Sequence, residues 1–228
     1  MTSLSEAKDQ PHLLLVAEWL VDREKSAKKN LESALETVGS SLGMEPKQLP
    51  SDAWLEQALN EGHPGPSEVT LHGSSIAGHL AIPVSPLGLP IWYPARLQLS
   101  LPASWGGVDW QRTAALLLHI SKVLPCAYGG VVSRRGSVLF PRSQLDEVGT
   151  PILAWRTILS RTEYGDPPVG SALDEERWSI NIDPPWDFDN CVSRRRYDDI
   201  DRLFQPWAQL VMPTTLEHET QVHISSQR

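Results

Sequence analysis

The chain opens its apolar pattern with an unbroken run, Leu13-Leu14-Leu15-Val16, which reads as a buried strand, with a helical segment as the alternative that periodicity does not separate. Beyond Asp22 the period changes. Leu31, Leu35, Val38 and Leu42 recur at helical spacing while Lys25, Lys28, Lys29, Glu32 and Glu36 fall on other faces, and Gly43 supplies a C-terminal stop. Ser51 is placed to cap a short helix reaching about Asn60, and Gly62, Pro64, Gly65 and Pro66 make a loop. From Val69 to Leu101 helical periodicity disappears, and strands are broken by Pro83, Pro86, Pro90 and Pro94. Leu97, Leu99 and Leu101 alternate with Arg96, Gln98 and Ser100, the pattern of a strand with one wet face. So many prolines point to edge positions or irregular loops rather than a regular central ladder.

The second half adds a helix capped by Asp109 and ended by Pro125, apolar on most sides and therefore central. Tyr128-Gly129-Gly130 reads as a turn into Val131 and Val132, with Arg134-Arg135-Gly136 as a hairpin tip and a further strand over Ser137 to Phe140. Thr150-Pro151 reads as a helix start continued by Ile152, Trp155, Ile158 and Leu159. Gly165 to Gly170 is a loop, Trp178 to Ile182 a strand stopped by Asp183-Pro184-Pro185. Asp198 or Asp199 caps a last helix with Ile200, Leu203, Phe204 and Trp207 inward. These elements predict a single α+β domain over residues 1–213, a mainly antiparallel sheet packed with about five helices, followed by a polar tail over 214–228.

Composition narrows the function classes. With 228 residues and 40% hydrophobic content the chain can bury one substantial core. Nine tryptophans are an excess that core packing accounts for in most positions. Cys126 and Cys191 are too few for a disulfide scaffold and carry no metal-ligand spacing. No stretch approaches a membrane span, so a cytoplasmic protein without membrane contact is expected, and a net charge of −8 argues against direct nucleic-acid binding.

That charge is concentrated. Glu163 to Asp201 holds eleven acidic residues against four basic ones, a balance of −7, with Trp178 and Trp186 inside it. Acids beside aromatics on a proline-stiffened segment suit gripping a basic partner. Asp174, Glu175, Asp183, Trp186, Asp187 and Asp189 are the candidate contact residues, with Arg194 to Arg196 neutralising part of the stretch and Trp178 pointing inward.

Other chemistry has less support. His63, His72 and His79 lack the tight local pairs of zinc sites. Gly73-Ser74-Ser75 is no nucleophile elbow, and no glycine pattern matches a phosphate loop. An apolar approach to Cys126 keeps its thiol protonated. No catalytic, metal or cofactor residue is therefore assigned, and no cofactor is expected.

The segments Ala114-Ala115-Leu116-Leu117-Leu118-His119-Ile120-Ser121 leading to Tyr128-Gly129-Gly130, Arg177-Trp178-Ser179-Ile180-Asn181, and Asp201-Arg202-Leu203-Phe204-Gln205-Pro206-Trp207 resemble bacterial immunity proteins, in particular the immunity protein 52 family. The resemblance implies a non-enzymatic antidote that binds and occludes a cognate type VI secretion effector, a toxin with a restriction-endonuclease-like DNase fold. It transfers no catalytic residues. The rival readings are a small hydrolase using a carboxylate or His–acid site, and a secretion-system adaptor.

Overall fold

The opening apolar run forms strand β1 (His12–Trp19), and every residue from Leu13 to Trp19 is buried. A strand alternates its side chains between two faces, so an unbroken apolar run needs cover on both. β1 has that cover because it lies inside an eight-stranded sheet. The computed structural model describes residues 12–19, 26–45, 48–59, 67–72, 77–82, 95–102, 106–134, 151, 153–182 and 191–211.

The other strands are β2 (Ser67–His72), β3 (Ala77–Ile82), β4 (Ala95–Pro102), β5 (Cys126–Arg134), β6 (Arg156–Ser160), β7 (Ser171–Ala172) and β8 (Arg177–Asn181). Their order across the sheet is β2-β3-β4-β1-β5-β6-β8-β7, with every neighbouring pair antiparallel. Five helices occur among the described residues: α1 (Ser26–Leu42), α2 (Asp52–Ala58), α3 (Gly106–Val123), α4 (Arg161–Tyr164) and α5 (Cys191–Ala208). The chain is a single α+β domain.

Register assigns the two faces. Leu13, Leu15 and Ala17 oppose Leu101, Leu99 and Leu97 of β4, and Leu15 also opposes Val131 of β5. These side chains share one core with Leu31, Leu35 and Val38 of α1, Leu55 of α2, and Leu116, Leu117 and Ile120 of α3. The opposite face carries Tyr128, Leu159 and Ile180, which pack with Phe204 and Ala208 of α5. On that face Arg96, Glu18 and Tyr128 lie side by side across β4, β1 and β5. Arg96 Nη2 lies 2.5 Å and Nε 2.6 Å from Glu18 Oε1, with the Glu18 side chain 0% and Arg96 16% exposed. Burial first, then the Glu18 carboxylate, holds the Tyr128 phenol well above its ordinary range.

Several local expectations hold. Gly43 adopts φ 64°, the left-handed conformation that ends α1. Ser51 caps α2 by accepting from the Trp54 amide at 3.3 Å. β4 alternates buried Leu97, Leu99 and Leu101 with half-buried Arg96, Gln98 and Ser100. All six described tryptophans are buried or half-buried.

Other expectations fail, each for a packing reason. β4 is no edge strand: it pairs with β3 and β1, and Pro83, Pro86, Pro90 and Pro94 lie outside the described residues. Tyr128-Gly129-Gly130 makes no turn but runs straight through β5. There the glycines serve close approach. A Cβ on Gly129 would sit 2.8 Å from Leu117 Cδ1 of α3, and one on Gly130 would collide with the Tyr128 hydroxyl. The segment after Thr150-Pro151 is not helical. Arg156 to Ser160 form β6, held between β5 and β8 on both edges, so tertiary pairing overrides a short apolar spacing that suits either period.

Helix starts also shift. α3 begins at Gly106 and α5 at Cys191, which puts Asp109, Asp198 and Asp199 inside helices rather than at caps. α3 keeps a solvent face at Gln111, Ala115, His119 and Lys122, so it covers the sheet without being enclosed. Leu203, expected inward, is 59% exposed; Tyr197, Ile200, Phe204 and Ala208 form the inward stripe of α5. The loop from Gly62 to Pro66, the strand from Ser137 to Phe140, Arg135-Gly136 of the expected hairpin tip, the stop at Asp183-Pro184-Pro185 and the tail from Thr214 lie outside the described residues.

Candidate functional site

A cleft of about 490 Å³ opens where α3 ends and β5 begins, within the size range of small-ligand and side-chain pockets. Pro125 makes it. Having no N–H, proline cannot continue the helix, so the last helical bond runs from Leu124 N to Ile120 O at 2.8 Å, and Cys126 N turns back to Leu124 O at 2.7 Å. Cys126 then pairs with Trp19 beyond a register shift in β1. Trp19, Leu31, Leu59, Ile82 and Leu124 give the cleft an apolar side.

The polar side comes from the far half of the sheet. Ser160 ends β6 and caps α4 by accepting from the Glu163 amide at 3.2 Å, which sets Thr162 and Glu163 on the rim. Arg161 N donates to Glu176 O at 2.8 Å, bringing Glu176 to the same rim. Arg177 then bridges two elements. Its Nη1 donates to Ser121 O at 3.0 Å, satisfying a carbonyl near the end of α3, while its Nε donates to Asp174 Oδ2 at 2.8 Å and Nη2 joins the same carboxylate.

Cys126 lines this cleft but carries no nucleophile at neutral pH. Burial pushes its thiol up to about 12, so it stays protonated.

The acidic stretch resolves into two populations. Asp174 is structural: it accepts from the backbone amides of Glu176 and Arg177 at 3.0 and 2.8 Å and binds the Arg177 guanidinium. Those bonds, with Arg177 foremost, hold its carboxyl below the usual range. Asp166 pairs with Arg161 at 2.7 Å, and Asp199 with Arg202 at 3.4 Å. Asp201 accepts from Gln205 Nε2 at 3.1 Å. Glu175, Glu176 and Asp198 are exposed. The ion pairs described for this stretch go to Arg161, Arg177 and Arg202; Arg195 and Arg196 are exposed on α5. Trp178 is half-buried, donates from Nε1 to Val169 O at 2.7 Å, and carries the Arg161 guanidinium 5.7 Å from its ring centre. Asp183, Trp186, Asp187 and Asp189 lie outside the described residues.

Histidines are dispersed. His79 Nε2 lies 3.5 Å from Glu68 Oε2, and His119 Nε2 lies 3.1 Å from Thr37 Oγ1. Among the described residues no three His, Cys, Asp or Glu side chains are grouped to hold a metal, and no helix is long and apolar enough to cross a membrane.

Sequence reasoning missed the cleft. Its lining comes from β1, α1, β3, α3, β5, β6, α4 and β8 and from short connections between elements, so no local motif marks it. The only sequence signal was Lys122-Val123-Leu124-Pro125-Cys126, a helix stop leading straight into a strand. No protein-family model matches the chain, and no curated protein matches it either.

Proposed function

We propose that the protein is a cytoplasmic immunity protein, a non-enzymatic inhibitor that binds and occludes a cognate type VI secretion toxin with a restriction-endonuclease-like DNase fold. The observation that carries the reading is the placing of acidic charge on well-packed elements. Glu175 and Glu176 are solvent-facing in the turn between β7 and β8, and Asp198 is solvent-facing on α5, which packs on the same half of the sheet. Exposed carboxylates held on packed elements complement the basic surface with which a nuclease holds phosphates. The resemblance to immunity proteins supplies the partner class, and the mixed cleft beside the acidic turn suits a partner's side chain.

Co-expression tests it. A toxin encoded beside this protein should arrest growth alone and be neutralised when the two are produced together. Failure of rescue with a stable, folded protein refutes the proposal. In purified form, raising salt should slow association far more than it speeds dissociation, because steering acts on encounter. An on-rate indifferent to salt removes the acidic face from the docking surface.

A further inference from the structure

We infer that the cleft at the end of α3 receives an arginine side chain from a protein partner. The inference rests on the binding reading above for the source of that arginine, and on the cleft itself for the chemistry.

Charge decides the sign of the guest. Two cations line the cleft, but Arg177 is already committed to Asp174 and to Ser121 O. Lys122 is solvent-exposed and free to swing outward on its four-carbon stem. Against it stand two carboxylates, Glu176, exposed at the rim, and Glu163, which is engaged within the fold. The carbonyl end of α3 also lines the cleft, its Ser121 carbonyl already taken by Arg177, and adds a further partial negative charge. The sum favours a cation.

Shape decides which cation. Trp19, Leu31 and Ile82 supply apolar lining against which a methylene stem can pack, and Glu163 and Glu176 line the same cleft. An arginine spans both. Its guanidinium is weakly hydrated and flat, so it enters a half-enclosed apolar cleft at lower desolvation cost than an ammonium, and its five donors serve carboxylate and carbonyl together.

The test is a titration of the full chain with N-acetyl-arginine amide, followed by NMR, with the citrulline analogue as the neutral isostere. Saturable shifts should appear at the Trp19 indole and the amides of Ser121 to Cys126, with dissociation constants on the order of millimolar for so small a probe. Citrulline should bind at least several-fold more weakly. Glu176→Gln, whose side chain is exposed, should weaken arginine roughly fivefold to tenfold, and Lys122→Met should tighten it. Equal binding of citrulline, weakening by Lys122→Met, or no shift in the cleft overturns the inference. Free L-arginine binding tighter than the capped residue overturns the assignment to a protein partner. The titration needs no toxin, so its failure and a failed growth rescue are distinguishable.

Discussion

Replacing Glu18 by glutamine removes the carboxylate that Arg96 binds inside the sheet. The carboxylate is 0% exposed and the guanidinium 16%, and two guanidinium nitrogens converge on one carboxylate oxygen at 2.5 and 2.6 Å. Glutamine keeps a carbonyl acceptor but loses the charge, and its amide hydrogens compete with the guanidinium hydrogens for space. Breaking a buried pair by removing one partner costs about 3–5 kcal/mol, chiefly because the other charge stays desolvated. For a chain of this size, each kcal/mol lowers Tm by roughly 2–4 °C, so a fall of about 6–20 °C is expected. Urea denaturation at neutral pH measures the free energy directly. The double variant Glu18→Met with Arg96→Met should lose less than the single Glu18→Gln, since a neutral apolar pair leaves no stranded charge. A loss under about 1 kcal/mol for Glu18→Gln, or a double variant less stable than the sum of its singles, would refute the reasoning.

Two further outcomes follow from the packing around β5. Gly129→Ala should destabilise by about 1–3 kcal/mol, because its methyl presses on Leu117, which is fully buried and cannot move into solvent; adding Leu117→Val should recover part of the loss in the same denaturation assay. In a Cys191→Ser background, Cys126 should react with a disulfide reagent at pH 8 roughly a thousandfold more slowly when folded than when unfolded, reflecting a thiol raised from 9.0 to about 12. The sign for stability follows. A raised folded value favours the protonated form, so the contribution is complete below about pH 9 and is lost as pH rises toward about 12.

The legible part of this fold was the part whose pattern had one solution. The Leu13 to Val16 run announced a strand, Leu31 to Leu42 with Gly43 a capped helix, and Leu97 to Leu101 a strand with one polar face. Position within the sheet was not legible. The prolines near β4 suggested an edge because pairing partners cannot be read from a strand's own residues. Gly129 and Gly130 suggested a turn because a glycine that permits φ > 0 and one that admits a neighbouring side chain look alike in sequence. The acids of the site were legible as a charge excess. Their division was not, since Asp174 differs from Glu175 only in the bonds that the turn before Arg177 makes.

The place of β1 has a consequence for how the molecule assembles. Leu15 takes its partners from Leu99 on one edge and Val131 on the other, so the middle of the sheet cannot close until β4 and β5 have both been made. Closing loops of that length before any contact rewards them makes folding slow, in the range of non-local β topologies. During synthesis the run Leu13 to Ala17 therefore leaves the ribosome apolar on both faces with both edges unpaired. Such a strand is a template for aggregation, which makes the first strand of this chain the element on which a chaperone has most to do.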